Sequence, residues 1–247
     1  MPPSPALSVV IPAFNEAARV SSTLDQILAH LRARATAFEV IVVDDGSTDG
    51  TSGVVRQRRD AEVRLLQLAG NQGKGAAVRR GVMESRGVRI LVTDADLSAP
   101  VDELKRLEEA LESGVDIACG SRGLPGSTIV TSQPVYRRQM GNTFNLILRL
   151  LGLTTLRDTQ CGFKLFRGPV AKNVFARCTL CGFAFDVECL FVAHRLGYRV
   201  REIPVSWGHV PESRVHAITD SARMLRDVVR LRVAAWRGRL PLGPPGS

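Results

Sequence analysis

Two acidic residues, Asp94 and Asp96, are separated by one alanine and closely follow the apolar run at residues 90–92. Because side chains alternate along a strand, both carboxylates are expected on one side of that strand's end. Such a pair needs a cation, and Mg²⁺ or Mn²⁺ held by carboxylates and substrate phosphates would supply it. The motif therefore predicts a metal-bound nucleotide diphosphate, with a helix cap ahead of Pro100 as the alternative.

A second acidic motif, Asp44-Asp45-Gly46-Ser47, follows the run at residues 39–43. A carboxylate at this position can accept hydrogen bonds from a base N–H or a ribose hydroxyl. Ser47, Thr48 and Asp49 are also typical turn and cap residues. Both interpretations are compatible, with Asp45 facing a ligand and the next three residues starting a helix.

The segment Asn71-Gln72-Gly73-Lys74-Gly75 superficially resembles a phosphate-binding loop. Leu68 and Gly75 stand where that motif requires a glycine and a Ser or Thr, which excludes a Walker-type NTPase. The glycines would still let backbone amides and the Lys74 ammonium approach an anion at the start of a helix. The segment predicts either a donor contact or a plain helix start.

Alternating strands and helices are predicted to position these motifs. Short β-branched runs predict strands, and apolar residues at helical spacing predict helices at about 16–34 and 101–113. Crossovers of this length favour a mostly parallel sheet whose ligands bind at the carboxyl ends of the strands. The predicted strands are residues 8–11, 39–43, 63–68, 89–93 and 116–119, followed by 163–166 and 198–203.

Composition excludes several other classes of protein. The 247 residues carry a formal net charge of +9 and are 45% hydrophobic, which excludes a disordered tail. No run of about 18 apolar residues could span a bilayer, and the N-terminal residues lack the pattern of a signal peptide. With only two Trp and two Tyr for base stacking, we expect no nucleic acid partner. We expect a cytoplasmic protein that is peripheral on the cytoplasmic face of a membrane.

Two helices are predicted to have broad apolar faces beside arginines. The first, at about 137–151, begins with Arg137 and Arg138, which are candidates for contact with an acceptor phosphate. The second, near the C-terminus, carries an apolar stripe next to an arginine stripe. Such faces suit helices at the surface of an anionic membrane, although core packing with a solvated basic face explains them as well.

Several ordered motifs together resemble the inverting family 2 glycosyltransferases of the GT-A fold. Those motifs are VIPAFNE at 10–16, VDDGS at 43–47, DADL at 94–97 and GSR at 120–122. The segments at 158–166 and 202–207 are similar to the dolichyl-phosphate glucosyltransferase branch, which is related to the dolichyl-phosphate mannose synthases. The resemblance extends from about residue 7 to residue 236. It implies one α/β domain over 1–247 with a mostly parallel central sheet flanked by helices.

The resemblance also implies roles for individual residues. A nucleotide-sugar half would occupy about 7–122, and an acceptor and membrane-facing half about 123–240. Arg122 would meet phosphate and, with Asp96 and Asp158, act in catalysis, while Asp94 and Asp96 would bind the metal. A loop arginine, Arg214, would close over the donor unless it is solvated. The remaining donor-binding residues would be Pro12, Phe14, Glu16, Val43, Asp45, Lys74 and Ala95.

Two points separate the reactions that remain open. Ser98 stands where mannose synthases carry a glutamine, so the resemblance favours glucose from UDP-glucose over mannose from GDP-mannose, with a β-linked product. A polyprenyl phosphate acceptor is already mostly a dianion at pH 7 and needs no general base. A hydroxyl acceptor would need one, and Asp158 is then the candidate base. For a phosphate acceptor we expect Asp158 to have a positioning role.

Overall fold

The computed structural model describes residues 4–131, 135–208, 217–238 and 240. Its strands form a seven-stranded sheet in the order β3-β2-β1-β4-β7-β5-β8, beside a small parallel sheet of β6 and β9. The strands are β1 (Leu7–Ala13), β2 (Phe38–Asp44), β3 (Val63–Gln67), β4 (Arg89–Val92), β5 (Ile117–Ser121), β6 (Thr128–Thr131), β7 (Lys164–Arg167), β8 (Val200–Pro204) and β9 (Ser206–Gly208).

Helices cover both faces of the large sheet. They are α1 (Val20–Arg32), α2 (Thr51–Arg56), α3 (Lys74–Glu84), α4 (Leu104–Glu112), α5 (Val135–Leu150), α6 (Gly168–Phe175), α7 (Phe185–Arg195) and α8 (Ala217–Trp236). A single 3₁₀ turn, Val101–Glu103, precedes α4. Of these described helices, none is long and apolar enough to cross a bilayer. The predicted mostly parallel sheet between helices is confirmed.

Burial on both faces explains why the strand sequences are nearly continuous apolar runs. In β1, Val9 and Ile11 join the core under α1 and α4, while Val10 joins the core under α3, α6 and α7. A third cluster, which includes Leu148 and Val228, packs α5 and α8 against α7. Strands that are covered on both sides lose the polar alternation of a half-exposed sheet.

One strand, β7, runs antiparallel between β4 and β5. Lys164, the first residue of β7, pairs with Val92 at the end of β4 and with Cys119 near the end of β5. The residues just before β7 therefore lie beside the loops that follow β4 and β5. This insertion brings residues 158–162 to the carboxyl edge of the parallel strands. The two halves predicted from the sequence therefore share one sheet.

The segment between β5 and α5, where the sequence predicts no strand, contains the short strand β6. Strand β6 pairs with β9, more than 70 positions later in the chain. All four residues of β6 are exposed, and an exposed strand lacks the buried apolar positions from which the other strands were predicted.

Candidate active site

A cavity of about 850 Å³ opens at the carboxyl edge of the large sheet. Its walls come from the loops after β1, β2 and β4, from the start of α3 and from α8. The structure brings together most of the predicted donor residues there. These are Pro12, Phe14, Glu16, Asp45, Lys74, Asp94, Ala95 and Asp96.

Two predicted donor residues are not placed in this cavity. Val43 is fully buried in the core under α3, where its side chain packs close to Gly81. That side chain faces the helix and not the cavity, so a contact of Val43 with the donor would have to come from its backbone, and the predicted role of Val43 stays a prediction. Arg214 lies outside the described residues.

The loop that carries Asp94 and Asp96 is held by the elements around it. Thr23 of α1 donates a hydrogen bond from Oγ1 to the Ala95 carbonyl oxygen at 2.5 Å. Leu97 has a left-handed backbone, with φ of +46°, and the Ser98 amide donates to Asp96 Oδ1 at 2.9 Å. The helix-cap alternative is wrong because the 3₁₀ turn before α4 follows Pro100 and has no side-chain cap.

Asp94 lies between a cation and a glycine. Lys74 Nζ is 2.6 Å from Asp94 Oδ1. On the other side the carboxylate packs so closely against Gly162 that no Cβ would fit there. Burial lowers the pKa of the Lys74 ammonium, but attraction to Asp94 and Asp186 more than offsets this and raises that pKa above its ordinary value.

Asp45 organises the loop before α3. Its two carboxylate oxygens accept hydrogen bonds from the amides of Gln72 and Gly73 at 2.7 and 2.8 Å. Burial raises the pKa of Asp45 despite these two donors. The carboxylate still borders the cavity, so it positions the loop and presents an acceptor edge to a ligand.

The residues after Asp45 bind the loop that follows β1. The Asn15 amide donates to Ser47 Oγ at 2.9 Å, and the Ala17 amide donates to Asp49 Oδ2 at 3.0 Å. Asp49 Oδ1 also accepts from the amide of Thr51, the first residue of α2. The predicted turn and cap residues therefore join two walls of the cavity as well as starting a helix.

Two backbone amides at the start of α3 bind the chain at 180–182. The amides of Gly75 and Ala76 donate to the Cys181 carbonyl oxygen at 2.7 and 3.3 Å. A Cβ on Gly75 would lie 2.7 Å from the Phe185 Cβ and closer still to the Leu180 carbonyl oxygen. These two amides are therefore not available to a phosphate, because the glycine allows the chain at 180–182 to approach and accept both hydrogen bonds. The predicted donor contact of Lys74 itself stays a prediction.

Arg122 directly follows β5 and forms a bidentate ion pair with Asp158. Arg122 Nε and Nη2 lie 2.7 and 2.8 Å from the two carboxylate oxygens of Asp158. The amides of Arg122 and Gln160 donate to the same carboxylate. Burial raises the pKa of Asp158, but attraction to Arg122 outweighs it and holds that pKa below its usual value. A carboxylate with this low pKa and four N–H donors is poorly suited to act as a general base.

Further residues hold the Arg122–Asp158 pair in place. Glu202 of β8 accepts hydrogen bonds from the Arg157 and Asp158 amides and from Ser121 Oγ. Trp207 lies with its ring centroid 5.3 Å from the Arg122 guanidinium carbon, within the range of a cation–π contact. Asp158 therefore fixes the orientation of the Arg122 guanidinium in this structure.

The structure separates the arginines predicted to contact the acceptor from those that line the cavity. The backbone of Arg137 and Arg138 belongs to the first turns of α5, but their side chains lie outside the described residues. Two arginines that the sequence did not single out for the site, Arg223 and Arg226 of α8, line the cavity. They belong to the arginine stripe predicted for this helix, which was interpreted as a basic surface because spacing alone does not show what a helix face meets.

The donor set at the cavity fits a hard divalent cation. Asp94 and Asp96 both border the cavity, and Asp94 already attracts a cation, the Lys74 ammonium. Across the described ranges of the chain, no group of three or more His, Cys, Asp or Glu side chains comes together as a metal cluster. Two carboxylates completed by substrate oxygens are the ligand set that Mg²⁺ commonly takes in proteins.

A mostly parallel sheet with one inserted antiparallel strand, and with a strand-end Asp-Ala-Asp motif bordering its cavity, defines a glycosyltransferase of the GT-A type. Residues 8–175 match the family described as glycosyl transferase family 2. The chain belongs to this family, and it is a glycosyltransferase.

Curated relatives and solved structures agree with this assignment. The chain is 36% identical to a dolichyl-phosphate beta-glucosyltransferase of Drosophila melanogaster, over 95% of this chain and 78% of the relative. It is 34% identical to the enzyme of that name from Dictyostelium discoideum, over 92% of this chain and 73% of the relative. The crystal structure of mannosyl-3-phosphoglycerate synthase from Rubrobacter xylanophilus shares the fold with a TM-score of 0.71. That structure is 22% identical, with 98% of this chain and 78% of the other covered.

Proposed function

We propose that this enzyme transfers glucose from UDP-glucose to a polyprenyl phosphate of the dolichyl type, giving a β-linked lipid phosphate sugar and UDP. The proposal rests on the hydrogen bonding of the Asp158 carboxylate. The carboxylate accepts two hydrogen bonds from the Arg122 guanidinium and two from backbone amides. An acceptor that needs no general base fits this site, and a phosphate dianion is such an acceptor. The names of the relatives support the same acceptor and sugar.

Different residues are proposed to bind the nucleoside, the metal ion and a phosphate. The loop after β1 and the Asp45 carboxylate border the space for the nucleoside, and Asp45 offers an acceptor to a base N–H or a ribose hydroxyl. Asp94 and Asp96 would hold Mg²⁺ or Mn²⁺, which supplies positive charge to the diphosphate as it leaves. Arg122, oriented by Asp158, offers a fixed guanidinium for a phosphate.

The acceptor is proposed to arrive from a membrane surface along α5 and α8. These helices pack against each other. Among their described side chains, six large apolar ones are exposed, which we call the apolar surface. Its members are Leu146, Leu150, Leu225, Val229, Val233 and Trp236. Arg223 and Arg226, which belong to the same turns of α8, border the cavity. We propose that a lipid on the apolar surface reaches these cavity arginines with its phosphate.

Nucleotide release tests the proposal. Purified enzyme is incubated with UDP-glucose or GDP-mannose, with Mg²⁺ or Mn²⁺, and with or without a polyprenyl phosphate in detergent. We expect UDP release that depends on both the lipid and the metal and that Asp96→Asn abolishes. Release of GDP alone would instead identify a GDP-mannose-dependent mannosyltransferase. If the lipid accelerates neither release, the phosphate acceptor is wrong and a hydroxyl acceptor takes its place.

A further inference from the structure

The contact between Lys74 and Asp94 places a positive charge on a carboxylate that the proposed function assigns to a divalent metal. The ammonium nitrogen lies 2.6 Å from Asp94 Oδ1, and both side chains border the cavity. An oxygen in contact with an ammonium group at this distance has no room for a metal ion on the same side. Lys74 and the metal are therefore alternatives at Asp94 Oδ1.

The surroundings of Lys74 keep its ammonium at Asp94. The other acidic group close to it, Asp186, is already bound to Lys164 Nζ at 2.6 Å, in an ion pair whose two side chains are almost fully buried. The Phe185 ring centroid is 5.9 Å from Lys74 Nζ, which places an aromatic face beside the charge. Asp94 is also fixed, because its carboxylate packs directly on Gly162.

A bound diphosphate would change this balance of charge. Lysine has a flexible four-carbon side chain and binds phosphate as a point charge. A metal ion and an ammonium that share one carboxylate repel each other, but a diphosphate adds negative charge that can accommodate both cations. The cavity that Lys74 borders is the space in which the diphosphate is proposed to lie.

We propose that Lys74 is a displaceable internal counter-ion, which blocks divalent metal binding at Asp94 until the diphosphate of the donor draws its ammonium away. This inference rests on the proposed function, because it assigns the metal to Asp94 and Asp96. It makes metal and donor bind together and gives Lys74 two successive partners, Asp94 before the donor binds and the diphosphate afterwards.

Mn²⁺ titration followed by electron paramagnetic resonance of the free ion tests the inference without measuring transfer. The proteins compared are the wild type, Lys74→Met, Lys74→Gln and the control Lys105→Met, whose lysine is exposed on α4. Without nucleotide, we expect Lys74→Met and Lys74→Gln to bind Mn²⁺ at least about tenfold more tightly than the wild type. Lys105→Met should match the wild type.

Adding UDP should tighten Mn²⁺ binding to the wild type by about tenfold or more, and the Lys74 variants should lose most of this gain. Adding Asp94→Asn to Lys74→Met should remove the improved binding. Unchanged or weaker Mn²⁺ affinity in folded Lys74→Met without nucleotide would overturn the inference, and so would no Mn²⁺ binding in any of these proteins. An enzyme that proves to use GDP-mannose would overturn the proposed donor but leave the Mn²⁺ result without nucleotide intact.

Discussion

Replacing Gly162 with alanine should disable the metal site while leaving the fold in place. A Cβ at position 162 would lie 2.7 Å from Asp94 Oδ1 and closer still to Oδ2, whereas ordinary contacts begin at 3.4 Å. The backbone of Gly162 is not in the left-handed region, so alanine adds no backbone strain there. The clash therefore falls on the Asp94 carboxylate, which must move by about 1 Å.

A displacement of this size sets the expected loss of activity. Misplacing a catalytic or binding group by 1 Å costs roughly 10²-fold in rate, which corresponds to about 2.7 kcal/mol of transition-state stabilisation. We expect kcat/KM for lipid-dependent UDP release to fall by about that factor in Gly162→Ala. Mn²⁺ binding measured in the presence of UDP should weaken as well, because Asp94 is one of the two proposed ligands.

The matched control is Gly53→Ala on α2, where an added Cβ would meet nothing within 4 Å. This variant should keep wild-type kcat/KM. Thermal unfolding of both variants separates loss of the site from loss of the fold. Wild-type kcat/KM and Mn²⁺ affinity in folded Gly162→Ala would refute the assignment of Asp94 to the metal.

Three further predictions concern other parts of the site. Asp158→Asn should lower the free energy of unfolding by about 2–3 kcal/mol, because the Arg122 guanidinium loses its charged partner. The loss is smaller than for a fully buried pair, since about a quarter of the Arg122 side chain is exposed to solvent. Since the folded pKa of Asp158 is lowered, this difference should be constant above about pH 5 and shrink as the pH falls below 3.8. A difference in unfolding free energy that grows below pH 4 would contradict the ion pair. Iodoacetamide should label Cys181 before the four buried cysteines, and UDP with Mn²⁺ should slow that labelling because Cys181 borders the cavity. Mass spectrometry that shows equal labelling with and without UDP would argue against nucleotide binding there. The double change Leu150→Ser and Trp236→Ser removes two side chains that are 78% and 82% exposed, and should lower binding to anionic vesicles at least about tenfold without lowering Tm. Unchanged vesicle sedimentation would show that the apolar surface does not contact lipid.

The local sequence was enough to predict the parallel strands of the sheet and the position of the acidic residues at its carboxyl edge. Buried β-branched runs specify strands wherever they occur, and residues after such runs must lie at the carboxyl edge of a parallel sheet. Asp45, Asp94 and Asp96 could therefore be placed beside one another before any contact was known. Glu16 and Phe14 follow β1 and are placed by the same reasoning.

Other contacts depend on elements that are far apart in the chain. The antiparallel insertion of β7 sets Gly162 against Asp94, and hydrophobic periodicity carries no signal for strand order or direction. The pairing of Arg122 with Asp158 spans 36 positions. Likewise, the spacing of the α8 arginines shows which residues share a face, but only the packing of α8 shows that Arg223 and Arg226 meet the cavity.

The glycines around Lys74 show most clearly what the sequence determined and what it left open. Their positions indicated that backbone amides could approach an anion at the start of α3. The group that approaches the amides of Gly75 and Ala76 is the chain at 180–182, because the Cys181 carbonyl oxygen accepts a hydrogen bond from each of them. A glycine in the sequence indicates that another group could approach the backbone closely. Only the tertiary structure shows which group this is, because here it comes from a segment more than 100 residues away.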